Sequence, residues 1–223
     1  MRTFATTTAV SAVLDVPAGR IRLIAADRAD TVVEVLPATP GKSRDVKAAE
    51  RIEVGYADGV LRIRAAEAGN RVLGHSGAVE ITVQLPAGSR VAVTAADAEL
   101  RGVGRLGDVS FESAAGSVKL DEAAAARLVL QAGDVTAGRL TGDAEISTLK
   151  GDIRVTEAVR GTLRLNTGHG DIEVSAARGV AAALDAGTGH GRIHNALGTT
   201  GGAEVALTVH ATTGYGDITA RTA

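Results

Sequence analysis

From residue 106 to the end of the chain, apolar side chains alternate with polar ones in short runs, and each run restarts at a glycine. The clearest run reads Gly151-Asp152-Ile153-Arg154-Val155, and it returns as Gly170-Asp171-Ile172-Glu173-Val174. Looser copies begin at Gly116, Gly133, Gly191 and Gly216, so that successive glycines step by 17, 18, 19, 21 and 25 positions. Alternation at period two is the mark of a half-buried strand. A second alternating run precedes each phrase: Leu128 and Leu130, Ala144 and Ile146, Leu163 and Leu165, Leu184 and Ala186, then Leu207, Val209 and Ala211. The links Thr167-Gly168-His169-Gly170, Thr188-Gly189-His190-Gly191 and Thr213-Gly214-Tyr215-Gly216 suit a tight corner, where glycine can take positive φ. Each unit therefore predicts two strands joined by a turn.

One such unit cannot bury its apolar face alone, whereas stacked copies share a continuous core. The expected fold is all-β: a β-solenoid-like stack of two-strand repeats over residues 106–223, with Gly116, Gly133, Gly151, Gly170, Gly191 and Gly216 as its structural turns. Inward positions are mostly Ala, Val and Ile, as a narrow coil requires.

The first 95 residues are less regular, and the pattern predicts antiparallel strands joined by short turns over residues 9–36. Residues 43–51 form the best helix candidate, with Ser43 or Asp45 as cap and Val46, Ala49 and Ile52 on one side, balanced against a solvated loop. Asp58-Gly59, flanked by alternating runs, predicts a hairpin over residues 51–64. Residues 67–77 read as a longer, mobile loop carrying His75. Residues 121–126 read as a corner between two rungs in preference to a helical turn. Pro17-Ala18-Gly19 and Pro86-Ala87-Gly88 each follow a strand, so one corner sequence is used twice. The whole, residues 1–223, reads as a single elongated domain with an irregular β portion at 1–95 and regular repeats at 106–223.

Composition narrows the function more than it defines it. Net charge is −2 and the pI about 6.2, so no basic field attracts nucleic acid. Phe4, Tyr56, Phe111 and Tyr215 are the only aromatics, too few for stacking platforms of the kind sugars and single-stranded nucleic acids use. With no cysteine there is no disulfide framework, thiolate metal site or cysteine nucleophile. Neither a signal-peptide run nor an apolar stretch of membrane-spanning length is present, which points to a soluble cytoplasmic protein.

The serial Gly-Asp-Ile/Val phrases, the strand-Pro-Ala-Gly corners and the Thr-Gly-X-Gly links together resemble the bacterial β-strand-repeat family known as "putative adhesin", a domain of unknown function in the toast-rack group. The resemblance runs from about Ala9 to Ala220. It implies a right-handed β-solenoid-like fold and carries over neither a reaction nor catalytic residues. Relatives joined to membrane segments resemble cell-envelope stress sensors; this chain departs from them in lacking a span or signal.

Several constellations invite chemistry. Asp134, Asp152, Asp171 and Asp217 could stack along one edge and hold calcium, but the column breaks at Ser117 and Arg192, and calcium-binding solenoids have a much shorter repeat. The plainer reading is that each aspartate satisfies turn backbone groups. His169 and His190 are weak metal candidates: with Tyr215, and with Lys150 and Ala132 before them, they share one corner position, and a vertical pair of imidazoles one strand spacing apart could bind a metal. His194 and His210 lie in strands, and an exposed corner ladder is the plainer reading. Ser147 and Ser175 sit in ordinary repeat contexts, and the Gly-X-Gly corners precede strands where phosphate binding needs a helix. No acid and base pair for glycoside chemistry is singled out.

The outward positions Lys119, Thr136, Arg154, Glu173, His194 and Thr219 should form one row suited to a protein partner. The expected function is a non-catalytic scaffold or protein-binding module, without cofactor. A self-assembling, bactofilin-like structural protein is the alternative, using the open edge of the last rung at residues 205–220. A carbohydrate-active enzyme comes third.

Overall fold

The computed structural model describes residues 1–66, 77–198 and 204–223; His75 and nearly all of the loop at 67–77 lie outside the described residues. In chain order the elements are β1 (Arg2–Ala5), β2 (Ser11–Ala26), β3 (Asp30–Pro37), α1 (Ser43–Glu50), β4 (Ile52–Ala57), β5 (Val60–Ala65), β6 (Val79–Pro86) and β7 (Arg90–Ala132). Then follow β8 (Val135–Leu140), β9 (Ala144–Lys150), β10 (Ile153–Ala158), β11 (Gly161–His169), β12 (Ile172–Ala176), β13 (Ala182–His190), β14 (Ile193–Ala196), β15 (Leu207–Tyr215) and β16 (Ile218–Thr222). All sixteen strands join in one open sheet that winds round two faces. This is the β-solenoid-like stack that the alternation predicts. The first face carries β9, β11, β15 and β13, and the second carries β8, β10, β12, β16 and β14.

Within the repeats every pairing is parallel, and the register holds except for one slip between β10 and β12 after Val155, so inward residues form columns. Ile153 pairs with Val135 on one side and Ile172 on the other, and Ile172 in turn pairs with Ile218. Branched and small side chains fill these columns to essentially zero exposure, with Phe111 the largest buried group. A Cβ on Gly170 (φ +151°) would lie 2.1 Å from the Gly151 carbonyl oxygen, which is why the phrase begins with glycine.

The rungs are not stacked in sequence order. β15 lies between β11 and β13, and β16 between β12 and β14. The last rung in the sequence, residues 207–222, is thus wedged inside the stack, and the rung of β13 and β14 is the outer one. The expectation of an open edge at 205–220 is therefore wrong. Leu207, Val209, Ala211, Ile218 and Ala220 are fully buried, while Ile193 is 46% exposed. Side-chain chemistry accounts for the swap. At the inward position where β16 places Ala220, β14 places Asn195. A carboxamide in the middle of the stack would lose water without a partner. At the end it stays exposed and accepts a hydrogen bond from the backbone N–H of Leu197 at 3.1 Å. A less apolar repeat at the end of a solenoid is the usual way to terminate one.

The N-terminal part interleaves in the same way. β2 runs parallel to β5, β6 and β7, so the expected antiparallel arrangement over 9–36 is incorrect there; among the described residues only β1–β3, β3–β6 and β4–β5 are antiparallel. Pro17-Ala18-Gly19 does not end a strand; it is a bend inside β2. Ala18 aligns with Asp97, whereas Pro86 aligns with Ala26, so the two Pro-Ala-Gly copies turn opposite corners. The hairpin forms, with Asp58 and Gly59 both at positive φ as its two-residue turn demands. The helix forms too, but Lys42 is its N-cap; Asp45 is turned inward, buried, and accepts the backbone N–H of Ala78 at 3.1 Å. Residues 121–126 lie within β7, at a corner, as expected. Phe4 of β1 and Tyr56 of β4 meet with ring centroids 5.4 Å apart at the N-terminal end.

Candidate functional site

The corner glycines carry two hydrogen-bonded columns that run the length of the repeats. In the first, each aspartate accepts the backbone N–H of the residue in the next rung. Asp134 takes Asp152 N at 2.9 Å, Asp152 takes Asp171 N at 2.8 Å, Asp171 takes Asp217 N at 2.7 Å, and Asp217 takes Arg192 N at 2.8 Å. One carboxylate oxygen of each is committed to backbone, which favours the turn role over calcium for these residues. Arg192 closes the column, its guanidinium 2.8 Å from Asp217. The backbone N–H of Arg192, and then its side chain, hold the Asp217 carboxyl below the usual carboxylate range.

In the second column, threonine hydroxyls donate to the glycine carbonyls of the preceding rung. Thr167 reaches Gly151 and Thr213 reaches Gly170, both at 2.9 Å, and Thr188 reaches Gly216 at 3.0 Å. These threonines satisfy carbonyls at corners where the chain leaves the ladder.

The metal reading of His169 and His190 does not survive the rung order. Tyr215 lies between them, stacked 4.8 Å from His169 and 4.7 Å from His190, its ring nearly parallel to both. The imidazoles are thus two strand spacings apart, too far to share an ion. Lys150 precedes His169 in the same register, and Ala132 precedes Lys150. The expected corner ladder exists, with the tyrosine in the middle instead of at its end. His210 pairs with Asp185 at 3.1 Å on the first face. Among the described residues no three His, Asp or Glu side chains cluster as a metal site would require.

The outward row is assembled as the spacing suggests. Lys119, Thr136, Arg154, Glu173, Thr219 and His194 are successive in-register partners, with Thr219 preceding His194 because of the swapped rungs. Glu173 receives Arg154 at 2.8 Å and Arg221 at 2.6 Å. Beside this row a cavity of about 380 Å³ is lined by Arg154, Glu173 and Arg221 on one side and by Asp152, Asp171 and Asp217 on the other.

Against this geometry, a family model described as Toastrack DUF4097 matches residues 13–223. The chain belongs to the Toastrack DUF4097 family. Its fold is also that of a solved "putative adhesin" from Bacteroides fragilis NCTC 9343, 16% identical, with a TM-score of 0.57 over 98% of this chain and 95% of that one. A second "putative adhesin" structure, from Parabacteroides distasonis ATCC 8503, is 15% identical, with a TM-score of 0.48 over 97% and 95% of the two chains. No curated protein matches the chain.

The first face of this Toastrack chain holds a feature that repeat reading does not single out. A trough of about 490 Å³ crosses the strands, with Ala92, Ser110 and Ala125 among its small lining residues and Arg90, Asp108, Arg127 and Glu145 among its charged ones. Arg90 pairs with Asp108 at 3.2 Å, and Arg127 with Glu145. Arg164 lines this trough and an adjoining cavity of about 380 Å³, which also takes in Glu145. The residues come from rungs whose spacing varies, so only the register brings them together. Among the described residues no helix is long and apolar enough to cross a membrane.

Proposed function

We propose that this Toastrack chain is a non-catalytic binding module that engages a protein partner through the second-face row Lys119, Thr136, Arg154, Glu173, Thr219 and His194. The carrying observation is that six rungs hold six outward side chains of mixed charge in one register, beside the cavity bounded by the aspartate column. Parallel ladders fix each Cβ, so such a row is a pre-organised surface that loses little freedom on contact. Mixed charge favours a partner of matching pattern and sets its register. The adhesin name carried by the Bacteroides fragilis relative is consistent with binding in place of turnover. As a scaffold the module would present this row at a fixed distance from its ends.

The test is affinity capture from the native host with the wild-type chain and with a variant carrying Lys119→Ala, Arg154→Ala, Glu173→Ala and His194→Ala. The reading expects one protein, captured reproducibly by the wild type and lost by the variant, with both chains melting cooperatively. Equal capture by the two chains would rule out the row. Should the quadruple variant fail to fold, the exposed Lys119→Glu change alone serves.

A further inference from the structure

The trough on the first face is built from triplets. Residues 90–92, 108–110, 125–127, 143–145 and 162–164 come from five successive turns of the chain, and all of them but Leu163 line it. The middle residue of each triplet, Val91, Val109, Ala126, Ala144 or Leu163, is buried, so its two neighbours point outward. Ala92, Ser110 and Ala125 are short and leave the depression. Arg90 and Asp108 are the first residues of their triplets, and Arg127 and Glu145 the third residues of theirs. The two ion pairs therefore stand on opposite sides of the path that the short residues leave.

Arg164 closes the last triplet. In register it follows Arg127 and Glu145 and precedes His210 and Asp185. Glu145 gives its carboxylate to Arg127, and Asp185 gives its own to His210 at 3.1 Å. Among the described residues the exposed Arg164 guanidinium thus pairs with no carboxylate, although it borders both the trough and the adjoining cavity. The second face resolves a similar arrangement differently, for there Glu173 takes both Arg154 and Arg221. On the first face the place of that shared anion is open.

We propose that the trough is a binding site for an extended peptide carrying one acidic side chain, with that carboxylate seated on the guanidinium of Arg164. A planar guanidinium matches a carboxylate with two parallel hydrogen bonds. One unpaired cation calls for one negative charge. A dianionic phosphate would also meet Asp143 and Glu145, which line the same trough. An acyl chain would desolvate the two flanking ion pairs without pairing to them. From Arg90 to Arg164 the path covers four strand spacings, roughly 19 Å, which an extended segment of about six residues matches. The cavity of about 380 Å³ beyond Arg164 lets the segment continue, so the carboxylate belongs to a side chain and not to a chain end. Small side chains of the peptide would lie over Ala92, Ser110 and Ala125. This site is separate from the second-face row and does not depend on it.

The test pans a displayed library of random linear decapeptides against the folded wild-type chain. Recovered peptides are rebound to Arg164→Ala, to Ser110→Phe, whose ring would fill the floor, and to the quadruple second-face variant, each checked for cooperative melting. The proposal expects enriched peptides with one Asp or Glu among small residues, lost from the first two variants and kept by the third. With a synthetic copy of one such peptide, Arg164→Ala in the chain and an acid-to-amide change in the peptide should each weaken binding about tenfold. Together they should weaken it no more than either alone, as a direct pair requires. No enrichment above an unrelated protein, enriched peptides without an acidic residue, or affinity unchanged by Arg164→Ala would overturn the site. Loss of binding only from the quadruple variant would assign the peptides to the second-face row and overturn it equally.

Discussion

The hydroxyl of Thr188 donates to the carbonyl of Gly216 at 3.0 Å, across 28 positions of sequence, and not to a glycine in the rung that precedes it in the chain. That bond is one of many that place the C-terminal rung inside the stack. It separates two residues that look equivalent in the repeat alignment, Ile193 and Ile218. Ile218 is fully buried between Ile172 and Ile193, whereas Ile193 is half-exposed. Ile218→Ala should cost about 2–5 kcal/mol, the range for truncating a buried large aliphatic. Ile193→Ala should cost less than half as much. Denaturant unfolding of the two variants measures both, and equal losses would contradict the burial order.

Asn195 and Ala220 make the reciprocal comparison. They occupy paired inward positions, one at the end of the stack and one within it. Ala220→Asn should destabilise by about 1–3 kcal/mol or more, because it buries an amide without a partner and adds volume. Asn195→Ala should change stability by less than about 0.5 kcal/mol. Thermal melts of the two single variants give the difference.

The threonine column is tested by an isosteric change. Thr167 is buried and its hydroxyl reaches the Gly151 carbonyl; Thr212 points outward on the neighbouring strand. Thr167→Val should cost about 1–3 kcal/mol through the lost bond and the carbonyl it leaves unpaired. Thr212→Val should be nearly neutral. Both follow from chemical denaturation.

Much of this architecture is readable in the sequence. The alternation gives the strands, the glycines give the corners, and the Asp58-Gly59 hairpin stands where its turn chemistry puts it. The row from Lys119 to His194 is recovered from spacing alone, because parallel in-register stacking conserves position within each repeat. What spacing cannot give is the order of the rungs. Two repeats that fit the same register can exchange places without altering the local pattern. Here the choice falls to the energetic difference between Ala220 and Asn195 inside a core. For the same reason spacing places the two histidines next to each other, whereas Tyr215 belongs to the rung that lies between them. The parallel N-terminal pairing is not legible because short turns suggest antiparallel neighbours, whereas β2 bends at Pro17 without ending and finds its partners far along the chain.

The end of the aspartate column sets a pH dependence. Asp217 is held below the ordinary carboxylate range by the backbone N–H and guanidinium of Arg192. A carboxyl whose folded value is depressed contributes stability that is present above its unfolded value and is lost as pH falls through the folded one. The melting temperature of the wild type should therefore exceed that of Asp217→Asn at neutral pH. The gap should narrow below about pH 4, the unfolded carboxylate range. A gap that stayed constant down to pH 2 would mean that the charge contributes nothing.

Hydrogen exchange of the native chain, followed by mass spectrometry on peptides from the last two rungs, tests the interleaved order most directly. With residues 207–222 paired on both sides, their amides should be strongly protected, while β13 and β14 at the edge should exchange faster. Slower exchange in β13 and β14 than in β15 and β16 would contradict the arrangement and return the final rung to the end of the stack.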